Sequence, residues 1–219
     1  MRKKFWPILL AGMIVCGSIF ILPRFLYYII IHELSHISHV TVPECDSGEY
    51  ALGQVLLHAA HISLYKDVQL VCERLSIKYN AYDIVLSPYS IIIYGNNCLL
   101  HSSKSENNIL GLNELSLENI CAQLSIKRGK GVYFDECITE GDFGRCVLTG
   151  SIKDNKYIDI NVALFLQPEF LQQVPLPLRE SLDDIQQEYE ISISVTGILP
   201  YPDIDISSQH FNLTLKSNE

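Results

Sequence analysis

Residues 32–36 read His32-Glu33-Leu34-Ser35-His36, the pattern HExxH. On a helix the two histidines share one face and can hold a zinc ion, while the glutamate can take a proton from metal-bound water. A catalytic zinc also needs a third protein ligand and a closed pocket. The metzincin extension would put glycine at position 39 and histidine at position 42, where this chain has His39 and Val42. Glu44 and Glu49 are carboxylates near enough in sequence for the third place, but each follows a short linker containing Pro43 rather than a second helix. Intramembrane zinc proteases need several spans, and only one apolar run here approaches that length. The reading is therefore structural: His32, His36 and His39 at the polar edge of a helix, with no catalytic, metal or cofactor residue assigned. An HExxH zinc protease stands as the minor alternative.

Other reactive groups offer less. No glycine-rich phosphate loop and no G-x-S-x-G elbow occurs. Asp183, Asp184 and Glu188 read as solvated charge on a helical stretch rather than as a general acid and base. Six cysteines, Cys45, Cys72, Cys98, Cys121, Cys137 and Cys146, follow Cys16, and no CxxC occurs, so neither a zinc ribbon nor a thioredoxin-type redox motif is indicated. Cys137 and Cys146 sit symmetrically about Gly141-Asp142. A hairpin centred there would place them opposite one another on neighbouring strands, within disulfide reach. Two buried thiols are the alternative.

The elements that position these groups start with an anchor. Arg2, Lys3 and Lys4 precede an apolar run over residues 5–22, and Pro23 and Arg24 separate it from a second apolar run over 25–31. The run is near the length that crosses a bilayer core, and cations on its leading flank keep that end cytoplasmic. Val15-Cys16-Gly17 is a poor cleavage site and the apolar residues continue beyond it, which favours an uncleaved span over a removable signal. The remainder is then exported, and in an oxidising compartment its cysteines read as disulfide formers. The chain of 219 residues carries −9, of which the first four residues contribute +3, leaving −12 on residues 5–219. That balance argues against nucleic acid and against a polybasic grip on anionic lipid heads.

Beyond the anchor the spacing predicts an exit helix over 25–40, a polar linker over 41–49 and then short alternating segments. Strand patterns fall at 55–64 (a first strand pair, or one strand with a bulge), 68–79, 82–94 (with a break, an edge or a bulge at Pro88), 112–127, 132–139, 145–152, 157–166, 189–199 and 204–215. Residues 95–108 read as a loop, and 168–188, with Pro168, Pro175 and Pro177, as an interrupted helical excursion. Two regions follow: 1–40, a membrane anchor with its exit helix, and 41–219, a periplasmic β-rich domain. The fold class is mainly β, a curved antiparallel sheet with an N-terminal transmembrane helix and one helical insertion.

Over residues 113–199 the order is a strand, Arg128-Gly129-Lys130-Gly131, a second strand, Glu140-Gly141-Asp142, a third ending Thr149-Gly150-Ser151-Ile152, then an apolar strand leading to Pro168. It closes on Val195-Thr196-Gly197-Ile198-Leu199 before Pro200 and Pro202. That order resembles the GspN family of type II secretion systems and, more distantly, AsmA-like proteins. The resemblance covers most of the chain through glycine and strand positions, and carries over no catalytic residue. It implies a single-pass component of the bacterial inner membrane whose periplasmic β domain supports protein export, partnered by other secretion components. The AsmA-like branch implies a sheet whose inner face holds lipid or moves it between membranes. Neither implies an enzyme, a cofactor or a nucleic-acid partner.

Overall fold

The computed structural model describes residues 21–35, 43–65, 68–86, 88–102, 114–154, 156–171, 189–199, 201–208 and 212–216. Among them is helix α1 over 21–35. The strands are β1 (Ser47–Ala51), β2 (Gln54–Tyr65), β3 (Val68–Tyr79), β4 (Tyr89–Ser102), β5 (Glu114–Lys127) and β6 (Gly131–Gly141). There follow β7 (Gly144–Lys153), β8 (Tyr157–Leu166), β9 (Tyr189–Ile198), β10 (Tyr201–Ser208) and β11 (Asn212–Leu215). Short helices α2 (Ala81–Leu86) and α3 (Pro168–Leu171) interrupt them. All eleven strands form one open sheet, each pairing antiparallel with its neighbours in sequence.

Alternation explains the sheet. In β9, Ile191, Ile193 and Val195 share a face with Ile160, Val162 and Leu164 of β8, while Ser192, Ser194 and Thr196 take the other. The registers line these residues up across the molecule. One apolar row runs Val55, Ile77, Ile93, Ala122, Cys137, Leu148, Val162, Ile193, Ile206 and Leu213, one residue from each strand from β2 to β11.

Four strands share a dislocation in this pattern. Ala59, Glu73, Asn97 and Glu118 lie side by side on β2 to β5, between registered pairs on either side. At each, the buried set changes parity: Leu57 gives way to Ala60, Leu75 to Cys72 and Ile120 to Leu117 along their strands. Ala59 and Asn97 adopt positive φ there (49° and 48°). The Asn97 side-chain amide donates to the Glu73 carboxylate at 2.7 Å. Because all four strands carry the extra residue at the same level, their mutual register is the same on both sides, where a single-strand bulge would offset it by one. The row ends at β6, where Gly141 and Glu140 follow one another without a counterpart to Glu118.

Helix α1 lies on the apolar face. Leu26, Ile30 and Ile31 are buried in one cluster with Val55, Leu57, Leu75, Ile77, Ile91, Leu124 and Ile126, and Ile84 of α2 joins them. Fifteen helical residues span roughly 22 Å, enough to cross four or five strands. Tyr27 packs edge-on against Tyr50 of β1 (5.6 Å between centroids), and Glu33, near the other end, pairs with Arg128 after β5 (3.6 Å). Among the described residues no helix is long and apolar enough to cross a membrane. The expected span, apart from its last two residues, lies outside them.

Several sequence expectations change. Residues 81–86 are helix rather than strand, and Pro88 lies just before β4. Most of the expected 95–108 loop that is described is strand, because Gly95, Asn96 and Asn97 lie at the shared dislocation within β4. Part of the 41–49 linker is β1, and the single strand expected at 204–215 is two, β10 and β11. Of the helical excursion, α3 occupies four residues; 172–188 lie outside the described residues.

Candidate binding face

The HExxH segment is described as far as Ser35; His36 and His39 lie outside. The Glu33 carboxylate faces the Arg128 guanidinium at 3.6 Å, and Arg128 also donates to the Ile84 carbonyl oxygen at 2.8 Å. His32 is exposed and tilts against Tyr28. The Ser35 hydroxyl donates to the His32 carbonyl oxygen, a local bond within the last turn. Glu44 pairs with His61 through two backbone hydrogen bonds, and the Glu49 carboxylate lies 3.8 Å from His58. Among the described residues no three histidine, cysteine or acidic side chains gather as a metal site. A shallow depression of about 340 Å³ lies here, lined by Phe25, Tyr28, Ile29, His32, Glu33 and Arg128. Nearby, the Tyr89 hydroxyl is buried with no hydrogen-bond partner among the described residues. Burial first, then the Glu33 charge, pushes its pKa up to about 12, so it stays a neutral donor.

The cysteines pair differently from expectation. Cys72 and Cys98 form a disulfide between directly opposed positions of β3 and β4, with Cα atoms 4.0 Å apart. The bond lies beside the shared dislocation. Gly95 makes room for it: a Cβ there would sit 2.8 Å from the Cys98 Sγ. Cys137 and Cys146 are both free. The β6–β7 turn is the two residues Asp142 and Phe143, flanked by the pair Gly141 and Gly144. Its centre is one residue later than Cys137 and Cys146 require. Cys137 therefore faces Leu148, and Cys146 faces Thr139. Gly144 closes this turn at φ 121°, a conformation that favours glycine. Burial, reinforced by Cys121 and Asp135, pushes the Cys137 thiol up to about 11, and burial raises Cys146. Thiols held this far from their thiolate form are poor nucleophiles. Asp183, Asp184 and Glu188 lie outside the described residues.

What remains is the apolar face. Over β2 to β5 it is sealed where the helices lie: Val55, Leu57, Ile91 and Ile126 have no exposed surface, while Ile93 and Ala122 of the same strands are partly buried. Over β8 to β11 the same rows stay half-open. Ile160, Val162, Ile193, Val195, Ile204 and Ile206 are all only partly buried, and Leu213 at the edge is 48% exposed. The opposite face of this half carries Thr149, Asn161, Ser192, Ser194, Asp205 and Ser207 around a shallow hollow of about 270 Å³. Isoleucine and valine on one side, and polar groups beside Val147 and Ala163 on the other, make a sheet whose first face favours apolar cover more than its second. Sequence reading found the alternation strand by strand; the rows required registers that no local pattern supplies. The Cys72–Cys98 bond was missed too, its one local signal being a glycine three residues before a cysteine.

Comparison with protein-family models, with curated proteins and with solved structures returned no match.

Proposed function

We propose that this chain is a non-enzymatic, inner-membrane-anchored periplasmic component that supports type II protein secretion, similar to GspN. The observation that carries the reading is the uninterrupted meander with one apolar face. Its strands β5 to β9 fall in the order on which the resemblance to GspN rests. The apolar run over 5–22 leads directly into α1 on that face, and a disulfide fits the oxidising compartment to which an exported domain goes. Glu33 engaged by Arg128, and thiols with raised pKa values, favour a scaffold over a catalyst. In this topology the amino terminus is cytoplasmic and residues after about 40 are periplasmic. Disrupting the chain in its own host should stop export of folded cargo across the outer membrane, with rescue by the wild type and equally by Glu33→Gln. Secretion that continues unchanged overturns the reading, as does a reporter fused after Glu219 that works only in the cytoplasm. Stoichiometric zinc lost on changing His32 or His36 would instead favour the protease.

The half-open rows over β8 to β11 favour a second reading, an AsmA-like protein that binds lipid on this face or moves it between membranes. Gentle-ionisation mass measurement of the full chain separates the two: co-purifying lipid displaced by Ile193→Asp supports lipid binding, and its absence supports the scaffold.

A further inference from the structure

Because the strands meander, their connections fall alternately at two ends of the sheet. One end carries the turns at 52–53, 80–88, 128–130, 154–156 and 199–200. Within two residues of these turns stand six cations, Lys78, Lys127, Arg128, Lys130, Lys153 and Lys156, against two carboxylates, Asp83 and Asp154; Glu33 of α1 pairs with Arg128, and Glu49, Asp159 and Asp203 stand one residue farther from the turns. At the other end, Arg145 is the one described cation among Glu114, Glu140, Asp142, Glu169 and Glu190. The chain's −9 conceals this polarity. Exposed aromatic rings accompany the cations: Tyr82 is 80% exposed, Tyr201 71% and Tyr157 48%.

The rim is built rather than scattered. Asp154 N–H donates to the Lys130 carbonyl oxygen at 2.9 Å, and Leu199 N–H to that of Lys156 at 2.8 Å, joining three successive turns. On the face away from α1, the Lys127 and Lys153 ammonium groups sit 4.5 and 6.0 Å from the centre of the Tyr133 ring, and Lys156 lies over Tyr157. Helix α1 runs along the same end, between Tyr50 beside the first turn and Arg128 in the third. Its outward side shows Ile21, Phe25 and Tyr28, all more than half exposed, directly after the apolar run.

We propose that this rim docks the domain against the anionic surface of the bilayer that holds the apolar run, with tyrosines at headgroup depth and lysines on lipid phosphates. The inference rests on the membrane-anchored reading above and adds an orientation: strands upright on the membrane, acidic end outermost. Aromatic side chains and lysines are the groups that settle at a lipid–water interface. Such docking departs from the expectation drawn from net charge, which argues against a polybasic grip on lipid heads.

The test uses the full chain in vesicles of anionic phosphatidylglycerol or neutral phosphatidylcholine, with brominated acyl chains as quencher. Trp6→Phe removes the native tryptophan, and one reporter is introduced by Tyr201→Trp or, at the far end, by Glu140→Trp. In anionic vesicles the reporter at 201 is quenched strongly and the one at 140 is not. Converting Lys127, Lys130, Lys153 and Lys156 to glutamate lowers the docked-to-undocked ratio at least about a hundredfold. Salt near 1 M, where the screening length falls to about 3 Å, does the same to the unaltered rim and needs no refolded variant. Equal quenching at both positions, or quenching at 201 insensitive to charge and salt, overturns the proposal while leaving the anchor standing. A chain that floats with neither vesicle overturns the anchored reading and the docking with it.

Discussion

The two halves of the sheet are made by the same alternation and differ in what lies on it. Over β2 to β5 the apolar rows meet α1 and α2, and Val55, Leu57, Ile91 and Ile126 are fully buried in that cluster. Over β8 to β11 the same rows continue in register but stay partly open. Strand-forming pattern is thus one property and stability per side chain another. A row of isoleucines specifies which way a strand faces; only a covering layer turns that choice into a large burial energy.

The sharpest way to break this comparison is paired truncation. Leu57→Ala, in the sealed half, should cost about 2–5 kcal/mol, and Ile206→Ala, in the open half, under about 1.5 kcal/mol. Urea unfolding of both variants reads the difference, and equal losses would mean the open rows are covered after all. The disulfide comes next. Its 26-residue separation corresponds to roughly 3–4 kcal/mol of loop-closure stabilisation on the chain-entropy model. Reduction should therefore lower the melting temperature of the wild type and leave a Cys72→Ser, Cys98→Ser variant unmoved.

Gly95→Ala tests the seal more finely. Its methyl would meet the Cys98 Sγ at 2.8 Å, at a cost of about 1–3 kcal/mol as overpacking. In a Cys72→Ala, Cys98→Ala background that cost should largely vanish, because the sulfur atoms are gone; its persistence would place the strain in the backbone instead. The smallest effect lies at Cys137, where the two halves meet. Burial pushes its folded pKa up to about 11, above a thiol's ordinary value, so the folded state holds the proton more tightly. The stabilisation linked to this thiol is complete below about pH 9 and is lost as pH rises through about 11. Iodoacetamide labelling should follow the same window; rapid labelling near neutral pH would mean the open face begins earlier than β6.

How far the sequence speaks depends on whether a feature is local. Residues 68–79, 157–166 and 189–198 carry clean alternation or β-branched runs, and all three are strands. The segment 82–94 has the same composition, yet its first half is α2, with the Asn80 side chain accepting the Tyr82 N–H just before it and Ile84 tucked under Arg128. Tertiary contact overrides propensity there. Gly95-Asn96-Asn97 looks like a loop because those residues usually are one; here they occupy a dislocation whose other members lie on three different strands. The Cys137–Cys146 expectation failed by one residue of turn placement, which moves the partner of Cys137 two positions, from Cys146 to Leu148. The rim of lysines and tyrosines was hidden by summing charge along a chain that a meander folds back on itself.

Strict neighbour-to-neighbour pairing also has a consequence in time. Each strand finds its partner in the segment made just before it, so a chain delivered amino end first can zip into place as it emerges, the longest stretch to close being that between β8 and β9. The Cys72–Cys98 bond becomes available once the fourth strand is out, before more than half of the 219 residues have followed. From that moment the growing sheet has a covalently fastened beginning and one advancing edge, and every later strand is a template for the next.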